Sequence, residues 1–151
     1  MNKIVLLDSG PLGMISHPRN HPEIKLWLAN LLLSGVNVKI PEIADFEVRR
    51  ELLRLNKVKG IQRLHNLINQ IGYLPITRQV MLKAAEFWAQ ARKQGQPTAD
   101  NKALDADVIL AAQAFTISNQ NQEIIIATTN VRHLTRFVNA KTWNEITAIT
   151  E

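Results

Sequence analysis

Three short stretches of this chain carry oxygen-bearing side chains at one end: Ile4-Val5-Leu6-Leu7-Asp8-Ser9, Asp105-Ala106-Asp107-Val108-Ile109-Leu110-Ala111-Ala112 and Ile124-Ile125-Ile126-Ala127-Thr128-Thr129-Asn130. The first and last are apolar, strand-like runs that end in a polar group. The second is an Ala-rich helix that opens on carboxylates. With Glu47 they can bring several oxygen ligands from distant parts of the sequence to one cleft. Hard divalent cations such as Mg²⁺ take oxygen ligands, and such a cluster suits metal-assisted phosphodiester hydrolysis.

Each residue also has a plainer reading. Asp8 serves equally well as a turn residue before Ser9-Gly10-Pro11. Glu47, taken alone, is an ordinary helical glutamate, although it borders the apolar stripe beside Ala44 and Val48. Asp105 complements a helix dipole without any metal, and it joins Asp107 in a cleft only if it caps the helix. Asp107 precedes a segment too apolar to lie anywhere but in the interior, and a carboxylate there needs a partner or a metal. Asp107 is therefore favoured over Asp105. Asn130 can coordinate directly or through water, and Thr128 or Thr129 can position a neighbour. The histidines show no zinc spacing; His133, three residues past Asn130, is placed where it could line the cleft but is read first as a surface residue.

Basic residues crowd the stretch after Glu47, with Arg49, Arg50, Arg54, Lys57, Lys59 and Arg63. A phosphate backbone entering the cleft would meet Arg49, Arg50 and Arg54 first. The competing reading is a solvated helix face with pairs such as Glu47–Arg50 and Glu51–Arg54.

The elements that must position these groups follow from periodicity. Ile4–Leu7 and 123–127 read as strands buried on both faces, and 36–40 as a strand exposed on one face. Asp8-Ser9-Gly10-Pro11 breaks the first strand, and residues 12–16 form a helical turn ended by Pro18. Helices are predicted over 21–34, 42–55, 57–70 and 78–93, with Trp88 inward on the last and with Leu55 and Val58 on apolar stripes. Residues 73–76 form a short strand or link. Residues 94–98 form a loop, and a further helix starts between Asp100 and Asp105 and runs to about Ser118. Residues 130–137 make a turn or short helix, and 138–143 a last strand. Apolar strands alternating with helices predict one α/β domain over 1–151: a parallel sheet of about four to five strands with helices on both faces, three layers in all. Ligands in such sheets gather beyond the carboxyl ends of the strands, where Asp8 and Asn130 fall.

The 151 residues fit one domain, and the chain has no cysteine, which removes disulfides and thiolate chemistry. The apolar run before Asp8 is only four residues long, too short for a secretory signal, so a cytoplasmic protein without membrane contact is expected. The net charge of +5 favours a polyanionic partner. No Walker, dinucleotide or nucleophile-elbow glycine pattern is present, which counts against NTPase, oxidoreductase and serine hydrolase classes.

In these segments the chain resembles the PIN domain family, specifically the VapC-type toxins of bacterial toxin–antitoxin pairs. Val5-Leu6-Leu7-Asp8-Ser9 is similar to the family's first strand and first aspartate. The helix with Glu47, followed by Arg50 and Leu52-Leu53, resembles the segment with the second acid. Asp107-Val108-Ile109-Leu110-Ala111-Ala112-Gln113-Ala114 resembles the D-x-x-I-A-A-x-A element, with Leu110 for isoleucine. Thr129-Asn130-Val131-Arg132-His133-Leu134 resembles the element after the last buried strand, with Leu134 where phenylalanine is usual and Asn130 where aspartate is frequent.

The resemblance implies a Mg²⁺- or Mn²⁺-dependent endoribonuclease, commonly a homodimer inhibited by a cognate antitoxin. Asp8, Glu47 and Asp107 are then the expected catalytic residues, and Asp8, Asp107 and Asn130 the expected metal ligands, with Asp105 as a further candidate. Ser9 and Thr129 are expected to support them, and Arg49, Arg50 and Arg54 to bind RNA. The alternatives are a catalytically weak nucleic-acid-binding module and a DNA-directed nuclease.

Overall fold

The computed structural model describes residues 2–17, 21–95 and 101–148. The expected helix end at Pro18, residues 96–98 of the expected loop, and a helix start at Asp100 lie outside the described residues.

Five strands form one sheet: β1 (Asn2–Leu7), β2 (Asn37–Pro41), β3 (Tyr73–Leu74), β4 (Gln122–Thr128) and β5 (Ala140–Thr142). Their spatial order is β3-β2-β1-β4-β5, and every pairing is parallel. The chain builds outward from β1 to β3, then returns to lay β4 on the other side of β1. The order therefore reverses between β1 and β4, and a crevice opens there at the strand carboxyl ends. Leu6 stands opposite Ile126 and Leu7 opposite Ala127.

The two central strands are apolar on both faces because both faces are covered. Val5, Leu7, Ile125 and Ala127 pack with α1 (Ser9–Ser16), α2 (Pro22–Leu33), α3 (Glu42–Arg54) and α4 (Val58–Ile71) through Leu12, Ile24, Val48 and Leu64. Alternate residues Ile4, Leu6, Ile124 and Ile126 face Leu110 and Ala114 of α6 (Asn101–Ile117). A further apolar cluster joins α6 to α5 (Arg78–Lys93) through Val80, Phe87, Leu104 and Val108.

Several local expectations are corrected. The chain after β1 does not break: α1 starts at once, with Asp8 as its N-cap. Pro11 is the third helical residue, where a missing N–H costs no intrahelical bond. Strand β2 is not open on one face. Lys39 is half-buried there, and its Nζ donates to Ile71 O at 2.6 Å, at the end of α4. Leu55, Val58 and Trp88 are exposed rather than inward. Leu55 and Val58 flank the turn between α3 and α4, and the Arg92 guanidinium lies 5.0 Å from the Trp88 ring. After Asn130 the expected short helix is present, as the 3-10 turn Val131–His133. No helix among the described residues is long and apolar enough to cross a membrane.

Candidate active site

The site begins with an N-cap. Asp8 leaves β1 in an extended conformation, its own N–H bonded to Ala127 O of β4 at 2.9 Å. Its Oδ1 accepts from the Ser9 backbone N–H at 2.7 Å. Its Oδ2 accepts from the Thr128 hydroxyl, also at 2.7 Å. Thr128 ends β4 with its side chain fully buried, and its hydroxyl oxygen accepts from Asn130 N–H at 3.0 Å. The two strand ends are thus tied through one carboxylate and one hydroxyl. Gly10 permits this: a Cβ there would lie 2.6 Å from Thr129 Oγ1.

Glu47 approaches from α3 and Asp107 from α6, each half-buried. Burial raises the Glu47 pKa to about 7, repulsion from Asp8 and Asp107 adds to the rise, and the Arg50 charge opposes it. Burial raises Asp107 to about 6, with repulsion from Asp8 on the same side and the charges of His133 and Arg136 on the other. Asp8 is also raised by burial, held in check by its bonds to Thr128 and Ser9 and by His133. The three carboxylates therefore sense one another as like charges, which the sequence spacing required of any shared site.

One oxygen in this group stands out. Asp107 Oδ2 is buried and has no hydrogen-bond partner. His133 Nδ1 comes within 3.2 Å of it, an ion-pair distance when the ring is protonated, and opposes the rise of the Asp107 pKa. A buried carboxylate oxygen whose near neighbour is a histidine ring, beside two further acids that resist ionisation, is an arrangement a divalent cation relieves. Among the described residues no group of three or more His, Cys, Asp or Glu side chains stands ready to hold a metal ion. Mg²⁺ does not need one, since it keeps several waters and uses one or two carboxylates. The all-oxygen donor set fits such an ion.

The remaining expected residues divide. Asn130 lies at the rim, exposed, at the start of the 3-10 helix. Ser9 contributes its backbone N–H to Asp8, and Thr129 packs on Gly10 while its neighbour Thr128 holds the aspartate. Asp105 is not brought in. Two residues along a helix turn about 200°, so Asp105 is exposed and faces a groove lined by Met81, Ala84 and Trp88 of α5. Of the three arginines, Arg49 bonds Asp45 at 2.9 Å and Arg54 bonds Glu51 at 2.7 Å, as on a solvated helix face. Arg50 alone of the three faces the site, 4.0 Å from Glu47 and 5.1 Å from the Phe46 ring centroid. His133 is not a surface bystander: the turn after β4 folds it onto Asp107. Its place three residues past Asn130 was the one signal for this. Arg136, whose charge also reaches Asp107, carried no signal beyond its membership in a basic cluster.

No family model and no curated protein matches the sequence. Solved structures do match. FitAcB from Neisseria gonorrhoeae is 22% identical with a TM-score of 0.68, over 94% of this chain and 99% of that one. VapBC-1 from nontypeable Haemophilus influenzae is 20% identical with a TM-score of 0.67, over 93% and 98%. The chain has the PIN-like fold. VapBC2 from Rickettsia felis, solved with a DNA fragment from the promoter, shares that fold at 15% identity and a TM-score of 0.68, over 93% and 98%. Each of these matches covers at least 93% of this chain and 98% of the other.

Proposed function

We propose that this protein is a Mg²⁺- or Mn²⁺-dependent endoribonuclease acting as the toxin of a toxin–antitoxin pair. The observation that carries the reading is the buried, unbonded Asp107 Oδ2 within a group of three mutually repelling carboxylates at the strand carboxyl ends. The similar solved chains come from toxin–antitoxin complexes, which supports an antitoxin as partner. Homodimerisation rests on the family resemblance, and action in the cytoplasm on the short apolar run before Asp8.

In this reading Asp8 and Asp107 hold the ion, with Asn130 at the rim placed to act through water. A bound divalent cation would supply Lewis acidity toward the scissile phosphate and lower the pKa of a nearby water. Thr128 and Ser9 N–H fix the Asp8 carboxylate in one orientation. Glu47, with its pKa near 7, is matched to accept a proton from the attacking water at neutral pH. Arg50 balances the charge of Glu47 and faces the side from which a phosphate would approach.

The test is cleavage of RNA by the purified protein with Mg²⁺ or Mn²⁺, compared with Asp8→Asn and Asp107→Asn. Both variants are expected to lose the activity. Unchanged cleavage in both ends the assignment. The same assay on single-stranded DNA separates a ribonuclease from a DNA-directed enzyme.

A further inference from the structure

We propose that Gln113 is a positioning residue for the metal-holding carboxylates: its buried amide fixes α3, which carries Glu47, against α6, which carries Asp107. The inference rests on the nuclease reading above and adds a residue to it.

Gln113 is 1% exposed, within a stretch of α6 whose neighbouring residues Ala111, Ala112 and Ala114 are small and buried. Its Nε2 donates to Leu74 O at 2.8 Å and Pro75 O at 3.3 Å, and its Oε1 accepts from Ile43 N–H at 3.3 Å. None of these partners belongs to α6. Ile43 lies in the first turn of α3, where backbone N–H groups have no partner within the helix. Leu74 and Pro75 lie at the end of edge strand β3. Glu42, the first residue of α3, accepts from Ile76 N–H at 2.8 Å and closes the same junction.

Beside the amide the contact between α3 and α6 is apolar, with Ile43 in one cluster with Leu110 and Ala114. Apolar surfaces tolerate sliding, whereas an amide bonded in three directions does not, and a fully satisfied buried polar group specifies one arrangement. Glu47 follows Ile43 by about one helical turn, and Asp107 precedes Gln113 by about 9 Å of helix. A shift at the amide therefore moves one acid relative to the other. The resemblance that pointed to Asp107 gave this position no role.

The experiment compares wild type, Gln113→Met, Gln113→Glu and a control, Val80→Ala, which thins the α5–α6 core away from the amide. Three quantities are read: thermal midpoint, Mn²⁺ affinity by calorimetry without RNA, and kcat and KM on an unstructured RNA. Gln113→Met keeps length and volume but no hydrogen bonds. It is expected to weaken Mn²⁺ binding about tenfold and lower kcat by a similar factor, with KM within about twofold. Gln113→Glu keeps the acceptor for Ile43 and is expected to fall between Met and wild type. Val80→Ala is expected to lower the midpoint while leaving Mn²⁺ affinity within about twofold. Wild-type Mn²⁺ affinity in both Gln113 variants, or an equal loss in Val80→Ala, overturns the role. If Asp107→Asn abolishes Mn²⁺ binding in that case, the nuclease reading survives. A wild-type protein that binds no Mn²⁺ overturns both.

Discussion

The Thr128 hydroxyl donates a 2.7 Å hydrogen bond to Asp8 Oδ2 across the carboxyl ends of two neighbouring parallel strands. The bond opposes the rise that burial imposes on the Asp8 pKa. Thr128→Val keeps the β-branched shape and removes the donor. The variant is expected to lose about 1 kcal/mol of stability and to bind Mn²⁺ several-fold more weakly. Thermal unfolding and calorimetry measure the two effects. Unaltered Mn²⁺ affinity would remove Thr128 from the site.

Stability should depend on pH in the opposite sense to that of an ordinary salt-bridged acid. Glu47 and Asp107 have folded pKa values of about 7 and about 6, above their ordinary 4.5 and 3.8. The folded state therefore holds more protons than the unfolded state between roughly pH 4 and 7. The metal-free protein is expected to lose stability as pH rises through that window. Mn²⁺ should restore it, more at pH 8 than at pH 5. Thermal scans with and without Mn²⁺ at several pH values check the sign, and a midpoint that climbs steadily from pH 4 to 7 without metal contradicts it.

Asp107→Asn removes one of three like charges and should separate stability from activity. Cleavage is expected to fall at least about a hundredfold, since a ligand is lost. Metal-free stability at pH 8 is expected to hold or to rise, by about 2–4 °C per kcal/mol of relieved repulsion. A marked drop in midpoint would mean that the Asp107–His133 contact of 3.2 Å stabilises more than the charge repulsion costs.

The long reach of the site into sequence is uneven. Strands β1 and β4 and helix α5 were legible, α5 to its bounds, because uninterrupted apolar runs and a regular stripe leave few alternatives. The place of Asp8 at the strand carboxyl ends followed from those elements and from where open sheets bind ligands, whereas Glu47 and Asp107 were joined to it by the family resemblance. The choice between Thr128 and Thr129 did not. Adjacent strand residues face opposite ways, so one residue of register decides which hydroxyl points inward. His133 depended on a single 3-10 turn that no periodicity marks. The arginines of α3 looked like a phosphate track because charge is visible in a sequence while pairing is not: Asp45 and Glu51 already engage two of them.

Gly10 and Thr129 should behave as a coupled pair. The Cβ of Gly10→Ala would meet Thr129 Oγ1, Cγ2 and Cβ at 2.6, 3.1 and 3.4 Å, so rotating the side chain does not clear it. The substitution is expected to cost about 1–3 kcal/mol. Adding Thr129→Ala should recover much of that loss, giving a coupling energy of about 1 kcal/mol or more in a double-mutant cycle. Additive losses would show that the two segments accommodate independently.

The pairing of β1 with β4 has a consequence for synthesis. Asp8 is among the first residues made, and its hydroxyl partner lies 120 positions later. A ribosome must therefore deliver most of the chain before the far wall of the crevice exists. Fragments that stop before Gln122 would contain all three acids and still have no assembled pocket. For the ribonuclease proposed above, a strand order this non-local would keep the growing polypeptide inert beside the message that encodes it.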